Sequence, residues 1–303
     1  MQKMTRMEMK ENVWGYIFIL PWIIGFLWFF LGPFVSAIYL SFTRYTLVKA
    51  PIWVGFKNYI KLFTDDALFP KALVVTFKYA AMSVPLSLIS SLMIAVLLNQ
   101  KIKAMPVFRT IYYLPAVLPA LSVWLLWAWL FDPTFGLFNS MLQVVGIKGP
   151  NWLGSTSWVL PSIVLMGLWG IGRSTIIYLA ALQGVPQELY DAVEVDGASV
   201  LRRFWSITLP MISPAIFFNL IMGVIGTFQV FGAAYTMTGG GPNNASLFYQ
   251  LYLYRKAFED FRMGYASSLA WIIFFIILFF TLLILKGSPM WVYYEGMKKT
   301  KGR

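Results

Sequence analysis

The chain has 303 residues, 59% of them hydrophobic and only 12% charged, with a formal net charge of +12 and neither Cys nor His. A soluble domain carries about a quarter charged residues, so this composition indicates an integral membrane protein. Without Cys there is no disulfide scaffold and no thiolate metal site, and without His the commonest acid–base group and metal ligand is gone.

Met1–Asn12 reads as a short basic tail with Lys3, Arg6 and Lys10. Val13–Leu40 is the first apolar run. It exceeds the roughly 7–15 residues of a signal-peptide core and shows no cleavage site, so it is predicted to be a retained span. Gly32-Pro33 is predicted to kink it or end its regular part. Ser41–Pro70 reads as an external loop with a small amphipathic piece. Lys71–Leu98, carrying Pro85, is the second span, and Asn99–Pro106 is a short basic loop. Val107–Phe131 is the third span, and Asp132–Ser155 is a Gly/Pro/Asn loop. Ser157–Leu182 is the fourth span, followed by a polar interruption over Gly184–Pro210. Met211–Met237 is the fifth, Thr238–Met263 a loop, and Gly264–Leu285 the sixth. Lys286–Arg303 is a basic tail in which Trp291, Tyr293 and Tyr294 precede a Lys cluster, the pattern of a juxtamembrane anchor.

Each run exceeds the roughly 20 residues that cross the hydrocarbon core, and none alternates as barrel strands do. The predicted class is therefore all-α: a polytopic chain with six transmembrane helices in a single domain over 1–303. Trp14, Tyr112, Tyr113, Trp158 and Trp291 near span ends suit an interfacial belt. Six spans put both termini on one side. Lys3, Arg6, Lys10, Lys101, Lys103, Arg109, Arg202 and Arg203 share that side, which the positive-inside rule assigns to the cytoplasm. The basic residues flank apolar runs rather than forming one stripe, which excludes nucleic acid and favours lipid headgroups and an acidic partner surface.

Arg173 is the charged residue well inside a span, with a pathway or interface role or a local pairing to carbonyls as the two readings. No Asp or Glu lies at a span centre, which weakens the alternative of a stand-alone secondary carrier and leaves little from which to build a catalytic site. Asn219, Gln229, Tyr235 and Thr236 on the fifth run place polar groups along a path for a hydroxyl-rich solute, and Trp169 and Tyr178 on the fourth have rings that stack on sugar faces. Interhelical packing is the competing reading for all of them. Gly167–Ser174 nearly spells a phosphate-binding loop, but with Arg173 in place of Lys and no preceding strand. Gly167, Gly170 and Gly172 are instead expected to permit close helix approach.

The polar interruption has its own logic. Gly184 is expected to close the preceding helix in a left-handed cap, and Pro186 to open the next. Glu188, Asp191 and Glu194 then share one arc of a short helix, and Leu189, Ala192 and Val193 another. Gly197 is the predicted stop, and Ser199 the cap of a second short helix ending at Pro210. Glu194 and Asp196 sit at the negative end of the first helix, which calls for a basic partner or a tolerated cost.

Asp191-Ala192-Val193, then Asp196-Gly197-Ala198, then nine residues between Gly197 and Ile207, then Leu209-Pro210, resembles the EAA loop of binding-protein-dependent ABC importer permeases. The family has Glu-Ala-Ala where this chain has Asp-Ala-Val. Thr238–Ser246, TGGGPNNAS, is similar to a segment of the MalF-like half of sugar importer permeases. The resemblance implies the ABC importer permease fold, with cytoplasmic coupling helices formed by the 184–210 loop. Glu188, Asp191, Ala192, Val193, Asp196, Gly197 and Ala198 would dock on an ABC ATPase. It also implies a second homologous permease, an extracytoplasmic solute-binding protein, a carbohydrate substrate and a bacterial or archaeal plasma membrane. No cofactor or metal is expected in this chain; ATP and Mg would belong to the partner ATPase.

Overall fold

The computed structural model describes residues 6–100 and 102–293. Lys3, Lys101, Tyr294 and the Lys cluster after it lie outside the described residues. The described chain is mostly helical and divides into two compact units.

One unit comprises residues 1–66 and 253–272. Its long helix runs over Met9–Ser41 as part of a helical stretch that begins at Arg6, inside the stretch expected to be a tail. The helix does not end at Gly32-Pro33. A π-turn over Phe26–Leu31, closed by the Gly32 N–H on the Leu27 carbonyl, immediately precedes the proline. Widening the turn relieves the clash of a proline ring with the carbonyl four residues back. Trp22, Phe26, Phe30 and Phe34 stack along one edge at centroid distances of 5.3–6.4 Å.

After Ser41 comes the departure from an all-α chain, a hairpin pairing Thr43 with Trp53 and Arg44 with Ile52. So short a hairpin is not stable alone. The helix Lys57–Thr64 supports it: Asn58 Nδ2 donates to the Ser41 and Thr43 carbonyls at 2.8 and 2.9 Å, and Tyr59 donates to Ser41 Oγ at 2.9 Å. Leu62 on the same helix is buried.

The other unit comprises residues 67–252 and 273–303. Helix Leu68–Leu98 is its axis, packed by Val159–Trp169, Gly172–Gln183 and Ser213–Phe228. Pro85 stays within that helix. Its hydroxyls return to the backbone as an apolar surround requires: Thr76 Oγ1 donates to Ala72 O at 2.9 Å and Ser91 Oγ to Ser87 O at 2.5 Å. Thr76 Oγ1 also accepts the Tyr249 N–H at 2.9 Å. Arg109 closes the far end, donating from Nε and Nη2 to Leu98 O at 3.3 and 3.0 Å. Ala95, Leu98, Met105, Tyr178, Leu179, Leu182 and Ile212 form a core cluster at that end.

Three helices, Met9–Ser41, Leu68–Leu98 and Met263–Met290, are long and apolar enough to cross a membrane. The third and fourth runs, expected to be continuous, are instead broken, and a third bend lies where the fifth run begins. Met105–Ala116 and Ala120–Leu130 meet at 92°, Val159–Trp169 and Gly172–Gln183 at 48°, and Val200–Met211 and Ser213–Phe228 at 66°. Pro115 and Pro119 lack the N–H groups that would carry the first helix onward, and Gly170 and Gly172 flank the second break. The third break falls at Ile212, not at Pro210 as expected, because a π-turn over Phe204–Thr208 absorbs Pro210 as the earlier one absorbs Pro33. Ser213–Phe228 then ends at Gln229, and a separate short helix spans Gly232–Met237.

Of the three glycines expected at close approaches, one is there. A Cβ on Gly172 would lie 2.8 Å from the Tyr112 carbonyl oxygen and 3.1 Å from Tyr113 Cα, whereas Gly167 and Gly170 have nothing nearer than 3.6 Å. Gly172→Ala is expected to destabilise the chain by an overpacking cost of about 1–3 kcal/mol, with Gly167→Ala near wild type. Thermal unfolding in detergent checks this; equal melting of the two variants would remove the close contact.

Candidate coupling surface and pathway residues

Gly184 is not a left-handed cap. At φ −80° and ψ −8° it stays right-handed, and its N–H bonds to the Ala180 and Ala181 carbonyls. Helix Gln187–Val195 starts directly after Pro186, which is extended at φ −58° and ψ 130°. The reversal comes at Gly197, with φ +73°. Its N–H reaches Glu194 O at 3.0 Å and the Ala198 N–H reaches Val193 O at 3.1 Å. These two bonds close the orphan carbonyls of the helix in a Schellman turn. Ser199 then caps Val200–Arg203 by accepting the Arg202 N–H at 3.4 Å.

The basic partner that the negative helix end calls for is Arg203, whose Nη1 lies 2.6 Å from Glu194 Oε2. Glu194 is largely exposed, so the pair contributes at most about 1 kcal/mol. Its effect is to hold the two short helices at a set angle. Tyr190 and Thr208 add a hydroxyl–hydroxyl bond at 3.0 Å, and Gln187 Nε2 donates to Asp191 Oδ1 at 3.1 Å. No residue of Gln187–Val195 is buried. Glu188, Asp191, Ala192, Asp196 and Gly197 are exposed, and Val193 and Ala198 are half-buried. Leu189, Val195, Leu201 and Trp205 are exposed as well, Val195 to 88%. The acidic and apolar arcs therefore exist as expected, and the chain's own packing buries neither.

The pathway candidates separate into two groups. Tyr178 and Asn219 are fully or almost fully buried within the core, at 0% and 4% exposure. Tyr178 belongs to the cluster beside Leu98 and Met105, so its ring has no free face for a sugar. Trp169, Arg173, Gln229 and Tyr235 are exposed. Trp169 meets Trp127 edge-on at 6.0 Å, and Tyr235 stacks on Phe231 at 5.3 Å. Arg173 is the second residue of Gly172–Gln183, just past the 48° break. A cation there opposes the helix dipole, which an anionic or carbonyl partner would offset. Gln229 sits at the end of Ser213–Phe228.

Thr238–Ser246 is a self-closed loop. Gly239, Gly240, Asn243 and Asn244 have positive φ, Ser246 Oγ donates to Gly241 O at 2.6 Å, and the Thr238 and Ser246 hydroxyls lie 2.7 Å apart. Leu247, Phe248 and Tyr249 immediately after it are fully buried, so the loop is pinned to the core of its unit.

Residues 83–287 match the family described as binding-protein-dependent transport system inner membrane component. The chain belongs to that family. The matched region takes in the whole Gly184–Pro210 segment and starts after the first long helix and the hairpin. Among relatives of this family member, the probable ABC transporter permease protein YesP of Bacillus subtilis is 40% identical, covering 98% of this chain and 97% of its own. The trehalose/maltose transport system permease protein MalF of Thermococcus litoralis is 32% identical over 93% of this chain and 96% of its own. A bacterial ABC transporter involved in import of the acidic polysaccharide alginate is similar in structure, with TM-score 0.83, 25% identity, and coverage of 93% of this chain and 97% of that one. The protein is thus a multi-pass membrane component of a transporter.

Arg203, Tyr190, Thr208 and Arg109 were not singled out by sequence reasoning as structural locks. Glu194 and Arg203 are separated by a chain reversal, so no helical spacing flags them. Gly197→Ala forces an L side chain into the left-handed region at about 1–2 kcal/mol. The amides of residues 197 and 198 are then expected to exchange hydrogen roughly 5–30 times faster. Hydrogen exchange on the full chain measures this, and unchanged protection would refute the turn's role.

Proposed function

We propose that this protein is one permease subunit of an ATP-driven ABC importer for a carbohydrate. It crosses the bacterial or archaeal plasma membrane six times, each bent helix pair counting as one crossing, with both termini in the cytoplasm. The two units serve as a single permease domain. A second homologous permease completes the translocation path, and an extracytoplasmic solute-binding protein delivers the sugar. ABC ATPase subunits, which hold the ATP and Mg, grip the foot formed by Gln187–Val195 and Val200–Arg203.

The observation that carries this reading is the foot itself: a left-handed turn bearing exposed acidic and apolar arcs that the chain leaves uncovered. Closure of the ATPases would move that foot as a body and switch the path between outward-open and inward-open states. Glu188, Asp191, Ala192, Val193, Asp196, Gly197 and Ala198 form the docking set. Trp169, Arg173, Gln229 and Tyr235 are exposed and would face the solute, whereas Tyr178 and Asn219 support the helices behind them. The sugar class rests on the relatives, which include a trehalose/maltose permease and a multiple sugar-binding permease of Streptococcus mutans. A stand-alone carrier would not depend on a binding protein, as this family does by description.

Gly197→Asp is expected to insert normally yet reduce solute-stimulated ATP hydrolysis of the reconstituted complex to its basal rate. Full stimulation would count against the assignment. Asp191→Lys is expected to weaken recovery of the ATPase with the purified permease several-fold, and wild-type recovery would contradict it.

A further inference from the structure

The hairpin unit contains a cleft of about 610 Å³ that the transport reading leaves unused. Arg44, Lys57, Lys61 and Arg262 line it, with Tyr45 and Trp53. From Thr43 to Lys61 the sequence holds Arg44, Lys49, Lys57 and Lys61 and no acidic residue. Among the described residues none of the four lining cations has an ion pair. Of the nearby acids, Asp66 accepts from the Tyr265 hydroxyl, Glu259 pairs with Arg255 and Asp260 pairs with Lys256, while Asp65, the exposed cap of the Lys57–Thr64 helix, forms no ion pair with the four cations. Four like charges around one cleft repel one another, and a bound anion relieves that repulsion.

The cleft's surroundings say which anion. It lies at the ends of two helices long and apolar enough to cross a membrane, just after Ser41 ends the first and beside Met263, where the last begins. The Gly264 N–H bonds to Tyr45 O at 3.2 Å, fixing the hairpin to the start of that last helix. Helix Lys57–Thr64 turns Tyr59 and Leu62 inward. Phe56, Ile60 and Phe63 form an apolar stripe that is 59–70% exposed, beside the Lys57 and Lys61 stripe. An uncovered apolar stripe next to a lysine stripe is the pattern of a helix lying in the headgroup layer. A soluble acidic protein surface would fit the cations but would leave that stripe in water.

We propose that this cleft binds the phosphate headgroup of an anionic phospholipid. Lys57 and Lys61 provide point charges, Arg44 and Arg262 provide forked donors, and Phe56, Ile60 and Phe63 lie against the acyl chains. The inference rests on membrane placement and not on the identity of the transported solute.

The test is native mass spectrometry of the assembled transporter, with phosphatidylglycerol or phosphatidylcholine of matched chains added. Preferential retention of phosphatidylglycerol is expected, weakened about tenfold or more by Lys57→Gln with Lys61→Gln. Lys57→Arg with Lys61→Arg should restore it, and Lys148→Gln, on a different exposed loop, should leave it unchanged. Equal retention of both lipids, or wild-type retention by the Gln pair, would overturn the proposal. Loss of binding-protein association in the Gln pair with lipid retention intact would overturn it too, and would make the cleft a protein dock. Displacement of the lipid by soluble glycerol phosphate would support the headgroup as the recognised group. Binding of glycerol phosphate without any lipid retention would overturn the lipid as its source.

Discussion

At φ +73° the Gly197 backbone occupies a region that costs an L residue about 1–2 kcal/mol. That one torsion lets the amides of residues 197 and 198 fold back onto the Glu194 and Val193 carbonyls, so the helix before it ends without orphan acceptors. The space around Gly197 is open, with nothing within 4 Å of a Cβ, so the demand for glycine is torsional and not steric. Everything else in the foot follows from the turn's direction. It brings Arg203 back to Glu194 and sets Tyr190 against Thr208. Each of these links is individually weak, and together they hold the two short helices to one another.

The same economy governs the apolar part of the chain. Lipid offers no partner for a backbone group, so every interruption must be closed from within. Two prolines are absorbed by π-turns, at Phe26–Leu31 and Phe204–Thr208, and the chain continues through both. Where prolines cluster or glycines flank a position, the chain bends instead, by 48° to 92°. Arg109 directs two guanidinium donors to the Leu98 carbonyl, the last of Leu68–Leu98, a cap where no glycine serves. The result in the second unit is a central helix wrapped by bent ones.

Much of this was legible from residue order. The apolar runs marked where helices form, Ser199 and Gly197 marked the caps they prove to be, and the EAA-like spacing led to the family that residues 83–287 match. The bends were not legible, because hydropathy measures apolar content and is indifferent to direction. Pro85, Pro33 and Pro119 look alike in sequence, yet the first two lie within continuing helices and the third at a break. The fates of Tyr178 and Asn219 were hidden for a related reason: an aromatic or amide in an apolar run is equally suited to a core and to a lumen, and only packing decides. The hairpin at Thr43–Trp53 escaped because its strands are two residues long, too short for any alternation to register.

The chain lacks cysteine, which permits a direct test of where the foot lies. Val195→Cys places a single thiol at a position 88% exposed in the turn region. A membrane-impermeant maleimide applied to intact cells should leave this thiol unmodified, while the same reagent applied to inverted vesicles should modify it, with bound ATPase slowing the reaction. Labelling from outside intact cells would contradict the cytoplasmic foot and the coupling role built on it.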